Sequence, residues 1–202
     1  MSKAFESAEN KAFRINLFYV LTGGPGTGKT TLLAALLDAG YGVKEEAGRG
    51  VIRRQMVAGG DALPWKDRLA FSAEMLEAEL RLHEAHAGRR APVFCDRGIP
   101  DVLGYMQLED LDKLSQAAGL LARVKQAAGK WRYAEPVFIL PPWREIYETD
   151  RERRQDWATA VATHDAMRAV YAALGYRVVS LPPGSPAQRR DQVLGQLERH
   201  AG

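Results

Sequence analysis

The chain of 202 residues has one cysteine, Cys95, two asparagines, Asn10 and Asn16, and four histidines. A single thiol excludes an intramolecular disulfide and a cysteine-based zinc cluster, and fits a reducing, cytoplasmic setting. No apolar run approaches the ~20 residues that span a bilayer, so no membrane association is expected. The opening MSKAFESAENKAFR lacks the apolar core of a secretory signal and reads as a short arm. With asparagine confined to the start, there is no Asn-Lys-x-Asp of the kind that GTPases use for guanine. Neither sign of charge dominates: 28 Lys and Arg against 25 Asp and Glu leave +3, which argues against a nucleic-acid partner. What is present is ordinary globular composition, 46% hydrophobic and 26% charged, at a length that suits one domain over residues 1–202.

There is no internal repeat and no low-complexity segment. Short apolar runs alternate with segments of helical periodicity. Strands are expected at Ile15–Leu21, Tyr41–Glu46, Ala91–Asp96, Glu135–Leu140 and Tyr176–Pro182. Helices are expected at Thr30–Ala39, Ala47–Ala58, Trp65–Ala87, Pro100–Gln107, Leu111–Ala128, Arg151–Ala173 and Pro186–Arg199. Strands apolar on both faces and separated by helices predict a parallel sheet covered on both sides, a three-layer α/β domain. Ligands of such sheets bind beyond the carboxyl ends of the strands. The residues that follow each strand are therefore the candidates for chemistry.

After the first strand comes GGPGTGKTT, Gly23–Thr31, a full Gly-x4-Gly-Lys-Thr phosphate loop. Gly23, Gly24, Gly26 and Gly28 allow positive φ and close backbone approach, while Pro25 and Thr27 complete the turn. Inward amides and the start of the next helix make an anion nest. Lys29 is placed to reach the β- and γ-phosphates of ATP, Thr30 to ligate Mg²⁺, and Thr31 to extend the cradle.

The other strand ends carry charge. Asp96 ends the third strand and reads either as the acid that holds the metal through water or as a helix cap. Arg97 beside it reads as a phosphate contact or a surface ion pair. Cys95 reads as a small core residue. Glu45 and Glu46 end the second strand; alternation sends one to the crevice and the other to solvent, and a carboxylate there could take a proton from an acceptor hydroxyl. Arg49 lies four residues beyond Glu45. After the fourth strand, Arg151, Arg153 and Arg154 form the densest basic cluster, read as triphosphate contacts or a solvated face, with Trp143 and Tyr147 nearby. His83 and His86, at i and i+3 on a long helix, read as a solvated face rather than a metal pair.

In order along the chain, FYVLTGGPGTGKTTLLAAL, YGVKEEAGR, VFCDRGIPDVLGY, ILPPWREIYETDRERRQ and GYRVVSLPPGSPAQR resemble the small AAA-labelled P-loop proteins that are similar to the ribosylnicotinamide kinase domain of NadR. The resemblance runs from about Leu17 to Leu197. It implies a five-stranded sheet of order 2-3-1-4-5. It places a substrate-side acid and its arginine on Glu45 and Arg49, an Asp-Arg pair on Asp96 and Arg97, and a lid arginine pair on Arg153 and Arg154. It further implies a helical substrate region over about residues 60–90 and 100–130, a lid over about 143–157, and an adenine pocket around Pro182–Ser185. One departure is Glu46, where kinases of the NadR type tend to carry an aromatic.

The resulting expectation is a small-molecule kinase using ATP and Mg²⁺, a monomer or homodimer, that phosphorylates a hydroxyl of a nucleoside-like or other small acceptor. Two alternatives stay open: an ATPase switch without a small acceptor, and a nucleic-acid-end kinase. A hexameric AAA+ machine is disfavoured, because Asp96 is followed by Arg97 rather than by a second acid.

Overall fold

The computed structural model describes residues 17–86, 91–146 and 156–201. Five parallel strands form one sheet in the order β2-β3-β1-β4-β5: β1 Phe18–Gly23, β2 Gly42–Lys44, β3 Val93–Asp96, β4 Val137–Leu140 and β5 Val178–Ser180. Among the described residues seven α-helices surround it: α1 Lys29–Asp38, α2 Ala47–Ala58, α3 Arg68–Ala85, α4 Ile99–Leu108, α5 Ala118–Lys130, α6 Trp157–Ala173 and α7 Pro186–Ala201. The expected strand order and three-layer class are observed. No helix among the described residues is long and apolar enough to cross a membrane.

Period-two alternation divides the core. Leu21, Phe94, Phe138 and Leu140 face α1 and α7, where Leu32, Leu36 and Val193 meet them. Val20, Val93, Cys95 and Val137 face the other way, against Leu76 of α3, Val102 and Met106 of α4, Val124 of α5 and Val170 of α6. Full burial of each such side chain contributes about 1.5–3 kcal/mol, and together they fix the register of a sheet whose strands are short.

Element boundaries moved where local polar chemistry overrode periodicity. Pro64 does not start a helix; the chain turns through Leu63–Asp67, and α3 begins at Arg68 because the Asp67 side chain accepts from the Ala70 N–H at 2.9 Å. The segment from Leu111 is not one helix. Asp110 takes φ +55° and two short 3₁₀ turns precede α5. His83 corrects the solvated-face expectation: it is buried against Phe18, Trp131 and Tyr133 at ring separations of 4.5, 5.0 and 5.7 Å. Burial pushes its pKa down to about 4, so the ring is neutral at pH 7.

One ion pair lies inside the core. Lys44, at the end of edge strand β2, donates to Glu79 Oε2 of α3 at 2.7 Å, with both side chains almost fully buried. Burial alone would lower the Lys44 pKa, but Glu79 outweighs it and holds the ammonium above its ordinary range. Burial has already raised the Glu79 carboxyl to about 7 despite Lys44, so Lys44→Met should force it to protonate and destabilise the protein by about 3–5 kcal/mol at pH 8. Lys44→Met/Glu79→Met should come within about 1 kcal/mol of wild type or exceed it. Urea denaturation of both variants checks this; a single variant as stable as wild type would contradict it.

Candidate functional site

The phosphate loop runs from the end of β1 into α1. At Gly23 φ is +127°, and a Cβ there would overlap the carbonyl oxygen of Leu140 on the neighbouring strand. At Gly28 φ is +81°, and a Cβ would lie 3.0 Å from Arg189 Nη1. Both positions require glycine, which is why the loop can fold flat against its own sheet. Lys29 opens α1 and is buried; its Nζ donates to the carbonyls of Gly23 and Gly24 at 3.3 and 2.7 Å. Thr27 Oγ1 donates to the Gly24 carbonyl at 3.1 Å, and Thr31 Oγ1 to the Gly28 carbonyl at 2.9 Å. Thr30 is exposed at the helix start.

Strand β3 ends beside the loop, with Leu21 of β1 in register with Asp96. The next residue, Arg97, takes φ +67° and donates its N–H to the Leu21 carbonyl at 3.0 Å. A non-glycine residue in that region costs on the order of 1 kcal/mol or more, so its side-chain partners must hold it. They are Asp101 Oδ1, 3.1 Å from Nη1, and Glu46 Oε1, 3.1 Å from Nε. Asp101 also accepts from Thr22 Oγ1 at 2.5 Å, Tyr171 OH at 2.7 Å and the Gly98 N–H at 3.0 Å. The N-cap of α4 is Gly98, so Asp96 is not the cap of that helix. Asp96 is buried, and its Oδ1 meets no hydrogen-bond partner among the described residues.

The second strand end departs from expectation. Glu45, assigned to the crevice by resemblance, is 84% exposed at its side chain and comes only within 3.8 Å of Arg53. Glu46 is 20% exposed and is gripped by Arg97 and by Arg49 Nε at 2.9 Å. Strand β2 ends at Lys44, whose side chain points into the core, so alternation sends Glu45 outward. Glu46, at the N-cap of α2, then turns back towards β3. Arg49 correspondingly pairs at i+3 with Glu46 rather than at i+4 with Glu45.

Electrostatics tie these groups together. Burial lowers the Lys29 pKa, Arg97 adds to that, and Asp96, Glu46 and Asp101 oppose it, leaving the ammonium at about 8. Burial raises Asp96 above the usual carboxylate range, and Lys29 only partly offsets it. For Glu46, burial works upward, but Arg97, Lys29 and Arg49 outweigh it and hold the carboxyl below its ordinary value. Burial works against the Arg97 charge, yet Glu46, Asp101 and Asp96 raise its pKa, so it stays cationic.

The site thus brings together Lys29, Glu46, Arg49, Asp96 and Arg97. Arg153 and Arg154, with Tyr147, lie outside the described residues. Asp101, Thr22 and Tyr171 escaped the sequence reading; Asp101, five residues past Asp96 at the third helical position, was a cap signal that could have been noticed. The orphaned, buried Asp96 oxygen and the exposed Thr30 hydroxyl fit Mg²⁺, which they would hold jointly with phosphate oxygens.

A parallel sheet of this order with a phosphate loop after its central strand defines a P-loop nucleotide-binding fold. The AAA domain family matches residues 18–189, and the chain belongs to that family. No curated protein matches it in sequence. Among solved structures it is similar to NadR protein in complex with NR, at TM-score 0.61 and 20% identity over 82% of this chain and 43% of that one. It is also similar to deoxyadenosine kinase from M. mycoides with products dCMP and a flexible dCDP, at TM-score 0.65 and 13% identity over 90% and 99%. NadR with NAD and AMP-PNP matches at 0.61 and 18% over 85% and 46%. The chain spans less than half of the NadR chain.

Two predictions follow from this charge balance. Asp96→Asn should leave thermal stability equal or higher, because burial already disfavours the carboxylate. It should also reduce Mg²⁺-dependent turnover about a hundredfold, close to 3 kcal/mol of transition-state stabilisation. Unchanged metal-dependent turnover would count against the metal role. With Lys29 at about 8 before a polyanion arrives, binding that raises its pKa should take up protons at pH 8.5, about 0.8 per nucleotide if the lysine becomes fully charged. Calorimetry in buffers of different ionisation enthalpy measures the uptake, which should vanish at pH 6 and in Lys29→Met.

Proposed function

We propose that the protein transfers the γ-phosphoryl of ATP to a hydroxyl of a small, nucleoside-like acceptor. The observation that carries this reading is the division of labour between two carboxylates around one buried lysine. Asp96 has an oxygen without a hydrogen-bond partner among the described residues, suited to a hydrated metal. Glu46 is held anionic by two arginines at the end of a different strand. An ATPase switch needs the first; the second suits an acceptor. The fold neighbours, a deoxyadenosine kinase and a protein holding NR, support a nucleoside-like acceptor.

When bound, Mg²⁺ would neutralise phosphoryl charge, with Thr30 and Asp96 as its protein holders. The loop amides from Gly23 to Thr31 and Lys29 bind the phosphates. Arg97, permanently cationic beside Asp96, stabilises charge on the moving phosphoryl group. Glu46 accepts the hydrogen bond of the acceptor hydroxyl. The acceptor oxygen forms its bond to phosphorus, the bond from phosphorus to the ADP oxygen breaks, and the released proton passes to Glu46. A carboxylate held below its usual pKa is a weak base, so that proton moves late, once the oxygen has become acidic. Arg49 fixes the carboxylate's orientation. Arg153 and Arg154 are assigned to the lid by resemblance.

An acceptor screen read by ATP consumption identifies the substrate. Against that substrate Glu46→Gln should lose transfer about a hundredfold and keep ATP affinity within about threefold, while Glu45→Gln should behave as wild type. Wild-type transfer by Glu46→Gln would remove Glu46 from the reaction. ATP consumption that no acceptor accelerates would favour the ATPase switch.

A further inference from the structure

Against the phosphate loop at Thr27 and Gly28 lies another buried cation, Arg189 of α7, only 2% exposed. Its Nη1 donates to the Thr27 carbonyl at 2.7 Å and its Nε to the Pro182 carbonyl at 3.0 Å. Its guanidinium carbon lies 5.2 Å from the centre of the Trp143 ring. Nη2 is buried with no hydrogen-bond partner among the described residues. The nearest acid along α7, Asp191, is engaged by Arg190 at 2.7 Å. Among the described residues no carboxylate pairs with Arg189, and burial alone, without any neighbouring charge, pulls its pKa down.

This is an uncommon arrangement. Buried arginines are almost always paired, because an uncompensated ion costs several kcal/mol to remove from water. Two neutral carbonyls satisfy donors but not charge. We propose that Arg189 is a positioning residue for the phosphate cradle and that its counter-charge is the polyphosphate of the bound nucleotide. The inference rests on the nucleotide-binding reading above.

The geometry gives Arg189 two ways to act. In a trans peptide the C=O and the following N–H point in opposite directions. By holding the Thr27 carbonyl, Arg189 therefore aims the Gly28 N–H away from itself, into the loop. Its Nη1 also lies 3.0 Å from where a Gly28 side chain would begin, so the charge sits directly behind the cradle. In a site sheltered from water, a cation so close adds to the attraction that Lys29 and the α1 N-terminus exert. Because α7 follows β5, it also ties the loop after β5, through Pro182, to the phosphate loop.

Two variants separate charge from packing. Arg189→Lys keeps the charge in a smaller head. Arg189→Gln keeps a donor and drops the charge. Calorimetry with inorganic triphosphate, ATP and adenosine is the readout. Arg189→Gln should weaken inorganic triphosphate and ATP about tenfold and adenosine by clearly less, since adenosine meets only the Pro182 loop and not the charge, and Arg189→Lys should stay within about threefold of wild type for all three. Triphosphate binding as in wild type by Arg189→Gln, or an equal loss of adenosine, would overturn the proposal. Wild-type protein that binds neither ATP nor inorganic triphosphate would instead remove the nucleotide-binding reading itself. Should Arg189→Gln fail to fold, the wild type carries the test by NMR of the Arg189 guanidinium. Its signals should shift with inorganic triphosphate; signals that do not respond to triphosphate would overturn the role.

Discussion

The carboxylate of Asp101 is the constraint on which the site depends. It accepts four hydrogen bonds, from Thr22 on β1, Arg97 and Gly98 after β3, and Tyr171 on α6. Those four use the full lone-pair capacity of a carboxylate. The consequence is mechanical: Arg97 is held in a left-handed backbone it would otherwise avoid, and its Nε is presented to Glu46. From Glu46 the chain of contacts passes to Arg49 and the start of α2. Three strand ends and three helices are thereby fixed relative to Lys29 by one buried acid.

Burial sets the charge economy of the crevice. It disfavours the ionised form of both Lys29 and Asp96, while Glu46 and Arg97 stay charged because opposite charges around them offset the loss of water. That pair is thus a rigid, self-compensated support. Lys29 and Asp96 are left under-compensated, and a nucleotide with its metal is the kind of ligand that relieves both. The same reasoning applies to Arg189 against the loop at Thr27 and Gly28.

The topology separates two functions across one loop. With β1 central, the ends of β3 and β2 lie to one side and carry Asp96, Arg97 and Glu46, the proposed acceptor side. The ends of β4 and β5 lie to the other and carry Trp143 and Pro182, the latter in the loop where the resemblance places the adenine. In the proposed mechanism a phosphate chain along the loop has its reacting end at the first group and its nucleoside end at the second.

The phosphate loop could be read from the sequence because its chemistry is local: glycines at fixed spacing, one lysine and one hydroxyl determine it within nine residues. The parallel three-layer class was likewise carried by apolar runs between helical periods. The tertiary structure decided which carboxylate enters the crevice. Period-two alternation says that Glu45 and Glu46 diverge but not which way, and the sign was set by Lys44, drawn inward to Glu79 thirty-five residues along the chain. Long-range partners also decided the burial of His83, the Asp101 network and the position of Arg189, 162 residues from the carbonyl it holds. A side chain's neighbours across the fold cannot be inferred from its own spacing, because hydrogen bonds and burial are satisfied in space rather than along the sequence.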